Sequence, residues 1–61
     1  MPVVTITLTE GRTVEQKRRL IESITNDIHE IVGVDKERVT ILIHDLPGTD
    51  VGVGGVPRKL S

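Results

Sequence analysis

Strict alternation near the start of the chain predicts a first β-strand. From Val3 to Thr9, the even positions are Val, Ile and Leu, and the odd positions are Val and Thr. A period of two, built mostly from β-branched side chains, is typical of a strand with one face buried. The sequence Glu-Gly-Arg at positions 10–12 interrupts the alternation, so we predict that the strand ends at Thr9.

An amphipathic helix is predicted between Thr13 and Gly33. Thr13 stands three residues before Gln16, which is the spacing of a capping box, and Gly is a common residue just after a helix. Apolar residues recur between them at helical spacing and cover about a third of the helical wheel. These residues are Val14, Leu20, Ile21, Ile24, Ile28, Ile31 and Val32. Lys17 falls within the same arc, and we expect its stem to pack while its ammonium group reaches solvent.

A second strand is predicted from Val39 to His44, a run of mostly apolar and β-branched residues. Two strands joined by a helix favour a right-handed parallel βαβ unit. The Gly- and Pro-containing tail from Leu46 to Ser61 predicts a tight turn followed by a short hairpin or arm. With no linker and no internal repeat, residues 1–61 are predicted to form a single α+β domain.

The composition limits how large a hydrophobic core one chain can build. The 61 residues include no Cys, Phe, Trp or Tyr, so neither disulfides nor large aromatic burials are available. Domains of this size bury a smaller share of their surface on folding than larger domains do. We therefore expect the protein to self-associate.

The charge balance argues against several classes of partner. Eight Lys and Arg residues against nine Asp and Glu residues give a net charge of -1, which does not favour nucleic acid or an anionic membrane. No apolar run approaches the roughly 20 residues of a membrane span, and the first residues lack the pattern of a signal peptide. We expect cytoplasmic residence. The charged runs are predicted to be solvated surface, with Glu15 pairing with Arg19 across one helical turn.

Several motifs are present without the partners that their chemistry requires. The VGVGG segment at 51–55 lacks the Lys-Ser/Thr of a phosphate-binding loop and is better explained by a hairpin turn. His29 and His44 show no metal-ligand spacing, so no metal site is predicted and each is expected to be structural or solvated. Two isolated serines do not form a hydrolase motif.

Pro2 is the candidate with distinctive chemistry. Removal of Met1 before a small residue would leave a secondary amine at the amino terminus, and an amine can serve as a general base. Met-Pro starts are plentiful, however, and a proline can simply open a strand. Pro2 is therefore a candidate catalytic base only in combination with other features of the sequence.

The sequence resembles the 4-oxalocrotonate tautomerase family in three features at matching spacings. They are Met1-Pro2, the segment TLTEGRTVEQKRRLI at 7–21, and VGVGG at 51–55. The resemblance implies a tautomerase-like (MIF-like) fold, a β-α-β protomer with a C-terminal hairpin, and a homohexamer built as a trimer of dimers. It also implies enol–keto tautomerisation of 2-hydroxydienoates, or related enol carboxylates, without a cofactor, as in the catabolism of aromatic compounds.

The resemblance assigns roles to several side chains. Pro2 matches the catalytic proline, whose pKa must be lowered for it to act as a base, and Arg12 matches an arginine that binds the substrate carboxylate. A second family arginine aligns with Thr40, and an aromatic residue that walls the site aligns with Val51. Arg38, two residues before Thr40, is expected to share its strand face, where it either partly replaces the missing guanidinium or is an ordinary exposed charge at the start of the strand. A family leucine also aligns with Thr9, which makes the expected pocket more polar.

These departures keep other functions open. The superfamily also implies hydration with dehalogenation of a haloacrylate, or decarboxylation of a 3-oxo acid, with a protonated proline. A third alternative is a non-catalytic subunit of a mixed hexamer.

Overall fold

The computed structural model describes residues 2–58 and contains the predicted βαβ unit. Strand β1 spans Val3–Thr9, helix α1 spans Val14–Val32, and strand β2 spans Thr40–Leu46. The two strands pair in parallel, from Val3 opposite Thr40 to Thr9 opposite Leu46. The predicted α+β architecture is thus confirmed, although β2 begins one residue later and ends two residues later than its apolar run predicts.

Local side chains and backbone conformation set both ends of α1. The Thr13 Oγ1 accepts a hydrogen bond from the Gln16 backbone N–H at 3.0 Å, while Gln16 Oε1 accepts one from the Thr13 N–H at 2.9 Å. This reciprocal pair is the predicted capping box. Gly33 ends the helix in the left-handed region, with φ of 85°, and donates its N–H to the His29 carbonyl.

The tail forms the predicted hairpin. A short 3-10 turn at Gly48–Asp50 leads into β3, Gly52–Val53, which pairs in antiparallel fashion with β4, Val56–Pro57. The two connecting residues, Gly54 and Gly55, have φ of 62° and 83°. Two consecutive positive φ values fit the tight hairpin turn that glycine favours. The end of the tail, residues 59–61, lies outside the described residues.

The two faces of the β1–β2 sheet differ in exposure. Alternating side chains of both strands lie half-buried under α1. They face the apolar residues of the helix, the helical stripe, which are half-buried along its middle. They are Val4, Ile6, Leu8, Ile41 and Ile43 from the strands and Leu20, Ile24 and Ile28 from the helix. The opposite face is open, with Val3 54% and Leu42 46% exposed.

Residues 2–58 contain no fully buried apolar side chain. The helical stripe is only partly covered, since Val14 and Ile31 at its two ends remain 75% and 82% exposed. Within one protomer, the apolar face of α1 is therefore covered along its middle and open at its ends. Gly48 is the one fully buried residue of the described segment. None of the helices in that segment combines the length and apolar character needed to cross a membrane.

Two predicted charge interactions differ in the structure. The Lys17 ammonium does not end in solvent but pairs with the Asp45 carboxylate near the carboxyl end of β2, and both side chains are about one-third exposed. Glu15 pairs with Arg18, three residues on, at 3.4 Å, rather than with Arg19. Residues three and four apart are both neighbours on a helix, so periodicity alone did not decide between the two arginines.

Candidate active site

Pro2 lies at the amino end of β1 and is held there by β2. The Thr40 backbone N–H donates to the Pro2 carbonyl at 3.0 Å, which extends the parallel ladder by one bond. Pro2 is half-buried. Its nitrogen has no role in the ladder, because a proline within a chain has no N–H to donate. The hydrogen bond to the carbonyl thus fixes the position of Pro2, while its nitrogen forms no hydrogen bond of the sheet.

Thr40 is the nearest of the predicted site residues to Pro2. It opens β2, pairs with Val3 and is half-buried. Arg38 is exposed and ends a 3-10 turn at Lys36–Arg38 rather than belonging to the strand. The expectation that Arg38 shares a strand face with Thr40 is therefore wrong, because alternation by two holds only along extended backbone.

Arg12 lies at the opposite end of the sheet, in the loop between β1 and α1. Its side chain is exposed and forms no ion pair or hydrogen bond within residues 2–58. It lines a surface pocket of about 220 Å³. The other lining residues are Leu8, Gln16, Lys17 and Leu20. Because Lys17 is already paired with Asp45, Arg12 is the cation of this pocket available to an anion.

Val51 also lies at this carboxyl end, anchored by two backbone hydrogen bonds. Its N–H donates to the Gly48 carbonyl at 3.2 Å, and its carbonyl accepts from the Arg58 N–H at 2.6 Å. Gly48 and Arg58 line a second pocket, of about 260 Å³, together with Thr9 and Glu10. The aligned site positions Thr9 and Val51 are therefore neighbours through the turn and the hairpin.

Arg58 is a residue that the sequence pattern did not single out. It follows β4 in the Gly- and Pro-containing tail, where no periodicity predicts its neighbours. The useful signal is the pair of glycines at 54 and 55, because a two-residue hairpin turn returns the following residues to the preceding ones.

The candidate residues fall into two groups at opposite ends of β1. Pro2, Thr40 and Arg38 lie at the amino end, and Thr9, Arg12 and Val51 lie at the carboxyl end. A seven-residue strand is about 20 Å long at its usual rise per residue. One protomer therefore does not bring the Pro2 nitrogen and the Arg12 guanidinium to the same substrate.

The two histidines contribute to neither group. His29 Nδ1 lies 2.7 Å from the Val34 carbonyl and helps to fix the chain leaving α1, and His44 is exposed on the open sheet face. No group of three or more His, Cys, Asp or Glu side chains within residues 2–58 is arranged to hold a metal ion.

Comparison with known proteins identifies the family. The family described as tautomerase enzyme matches residues 2–60. The chain belongs to the 4-oxalocrotonate tautomerase family. It is 41% identical over 59 residues to a 2-hydroxymuconate tautomerase of Comamonas testosteroni, covering 97% of this chain and 94% of the relative.

Solved structures of 4-oxalocrotonate tautomerases share the fold. A structure from a study of the Methylibium petroleiphilum isozymes is 49% identical, with a TM-score of 0.88 over 93% of this chain and 92% of that one. A heterohexameric 4-oxalocrotonate tautomerase from Chloroflexus aurantiacus is 31% identical, with a TM-score of 0.89 over 95% and 94% of the two chains. Members of this tautomerase family thus include assemblies of several subunits.

Proposed function

We propose that the chain is a cofactor-independent enol–keto tautomerase whose catalytic base is the Pro2 amine, freed by removal of Met1. The substrate class is 2-hydroxydienoates and related enol carboxylates. Family membership supports the reaction type. The observation that carries the residue assignment is the hydrogen bond from Thr40 to the Pro2 carbonyl, which anchors Pro2 while leaving its nitrogen out of the ladder.

The proposed reaction is a proton transfer with no net gain or loss of atoms. The neutral Pro2 amine takes the proton from the enol hydroxyl, the electrons of the conjugated system shift, and the ammonium returns a proton to carbon. Arg12 binds the carboxylate and draws electron density toward it, a task suited to a permanently charged, forked donor. Arg38, Thr40 and Val51 are proposed to line the substrate-binding site.

The proposed site requires more than one chain. Pro2 and Arg12 lie at opposite ends of β1, so the amino end of one protomer must meet the carboxyl end of another. The exposed apolar side chains of the open sheet face provide a surface for such association. We propose a homohexamer; the heterohexameric relative from Chloroflexus aurantiacus supports the number of subunits but not their identity.

Replacing Pro2 with Ala tests the proposal. The variant carries a primary amine of different basicity and geometry, and we expect turnover of a 2-hydroxydienoate to fall by at least about 100-fold, the usual contribution of a positioned base. Intact mass spectrometry of the wild-type protein must show loss of Met1, which lies outside the described residues. Arg18→Ala, on the exposed surface of α1, is the control and should retain activity. Full activity of Pro2→Ala would refute the assignment.

The non-catalytic alternative is favoured by a specific departure from the family. Thr40 donates its N–H to the Pro2 carbonyl, and the sequence resemblance aligns Thr40 with a family arginine, so it implies that a cation next to the proline is missing. If the chain is a subunit that needs a catalytic partner, the purified protein alone is inactive and regains turnover when refolded with a second tautomerase. Activity of the purified chain by itself excludes this alternative.

A further inference from the structure

The proposed function leaves open whether the substrate carries one carboxylate or two, and the hairpin supplies a cation that bears on this question. The β3–β4 turn reverses the chain, so Arg58 returns to the carboxyl end of the sheet. Its backbone N–H donates to the Val51 carbonyl at 2.6 Å, and the residue lines the pocket formed with Thr9, Glu10 and Gly48. Arg58 is thus hydrogen-bonded to Val51 and shares a pocket with Thr9, the two aligned site positions at this end.

The charge of Arg58 is available to a ligand. The side chain is exposed and forms no ion pair with any residue between 2 and 58. Glu10 lines the same pocket and its carboxylate weakens the attraction for any anion, so binding there requires direct contact between a ligand carboxylate and the guanidinium. A guanidinium binds a carboxylate through two parallel hydrogen bonds, so position and orientation are both selected.

Arg12 and Arg58 flank the end of β1. Arg12 lines the pocket that contains Leu8, and Arg58 lines the pocket that contains Thr9, the next residue of the strand. Leu8 and Thr9 are successive strand residues and point to opposite faces of the sheet, so the two arginines approach the carboxyl end of β1 from different sides. A ligand that reaches both must pass around this end of the strand and carry an anionic group at each of its own ends.

We propose that Arg58 is a substrate-binding residue that holds the second carboxylate of a dicarboxylate enol, with Arg12 holding the first. The inference rests on the proposed function, because that proposal supplies the reaction. Binding of the diacid is measured independently of the reaction.

Two unreactive probes of matched length test the proposal. The first, trans,trans-muconate, carries a carboxylate at each end of a diene, and the second, sorbate, carries one. Dissociation constants of both are measured by calorimetry for wild type, Arg58→Ala and Arg58→Lys, with Arg18→Ala as a control. Arg18 is an exposed arginine on α1 whose loss removes the same charge at a distance from both pockets.

The expected result is a selective loss. Wild type binds muconate more tightly than sorbate, and Arg58→Ala weakens muconate binding by about 10- to 100-fold, the usual effect of losing hydrogen bonds to a charged group. Sorbate binding is unchanged, Arg58→Lys is intermediate because it keeps the charge without the fork, and Arg18→Ala binds both as wild type does. The hairpin should persist in Arg58→Ala because its contact with Val51 uses the backbone.

Other results overturn the proposal. Equal binding of the two probes by wild type, equal losses for both in Arg58→Ala, or no loss at all each exclude Arg58 as the second carboxylate site. A selective loss in Arg38→Ala with none in Arg58→Ala assigns the role to Arg38 instead. Because binding is measured without turnover, an active Pro2→Ala variant would refute the catalytic proposal and leave the Arg58 result to be judged separately.

Discussion

The ion pair between Lys17 and Asp45 connects the first turn of α1 to the carboxyl end of β2. Both side chains are partly shielded, at 27% and 34% exposure, whereas the Glu15–Arg18 pair on the outer surface is 64% and 66% exposed. Salt and water weaken the electrostatic attraction within a shielded pair less than that within an exposed pair. This contact also neutralises the ammonium that shares a pocket with Arg12.

Asp45→Asn is expected to lower the free energy of unfolding by about 1 kcal/mol, the upper end for partly exposed pairs. Glu15→Gln, which breaks the exposed pair, is expected to change it by less than about 0.5 kcal/mol. Urea unfolding of both variants at one fixed protein concentration gives the comparison, since self-association makes stability depend on concentration. A double-mutant cycle with Lys17→Met should show that the loss belongs to the pair. Equal stability of the two single variants would contradict this ranking.

The sequence marks these residues unevenly. Arg12 and Pro2 are predicted site residues because a motif and the chain terminus mark them. The partner of Lys17 was missed because Asp45 lies 28 residues away. Local periodicity does not predict the strand register that brings the two residues together. Arg58 was missed for the same reason, since a turn rather than a pattern determines its neighbours.

At the scale of elements, helix ends were more predictable than strand ends. Thr13, Gln16 and Gly33 carry their own capping chemistry, so both ends of α1 follow from the sequence. Strand β2 extends past its apolar run because Asp45 pairs with Leu8 of β1, and pairing depends on a partner strand. No side-chain cap marks the 3-10 turn at Lys36–Arg38, which places Arg38 outside β2.

Thr13→Ala tests the capping box. The bond that the Thr13 hydroxyl accepts is lost, whereas Gln16 Oε1 keeps its backbone donor at position 13, and we expect the unfolding free energy to fall by about 1 kcal/mol. Arg12 precedes the cap, so fraying of the first turn is also expected to raise KM for an enol carboxylate more than it lowers kcat. Urea unfolding and steady-state kinetics measure the two effects. Thr13→Ser keeps the hydroxyl and should match the wild type in both, and a Thr13→Ala variant as stable as Thr13→Ser would show that the box contributes little.

At the scale of the molecule, the protomer is an open layer rather than a closed globule. The helix covers one side of a two-stranded sheet, and no apolar side chain within residues 2–58 is fully buried. Val3, Thr5, Thr7, Leu42 and His44 lie exposed on the uncovered side, which carries no Asp, Glu, Lys or Arg. An uncharged face on a chain with 28% charged residues supports the proposal that other subunits cover this surface.

Leu42→Lys is expected to dissociate the assembly. Burying Leu42 at an interface contributes about 1.5–3 kcal/mol per chain, and a buried lysine reverses that gain. Sedimentation equilibrium should show a lower mass than wild type, and circular dichroism should show a loss of helix at the same concentration. Asn26→Lys adds the same charge on exposed α1 surface and should retain the wild-type mass. A Leu42→Lys variant of unchanged mass would show that the open face is not an interface.

The hydrogen bond from Thr40 to the Pro2 carbonyl allows the chain to fold whether or not the Pro2 nitrogen is a free amine. Because β2 positions Pro2 through its carbonyl, excision of the preceding residue exposes the amine without altering a ladder bond. An amino-terminal leader or purification tag would therefore mask the reactive nitrogen as an amide while the chain still folds and assembles. Under the proposed mechanism, amino-terminal processing acts as the on-switch, and unprocessed chains accumulate as well-folded, inert members of the same assembly.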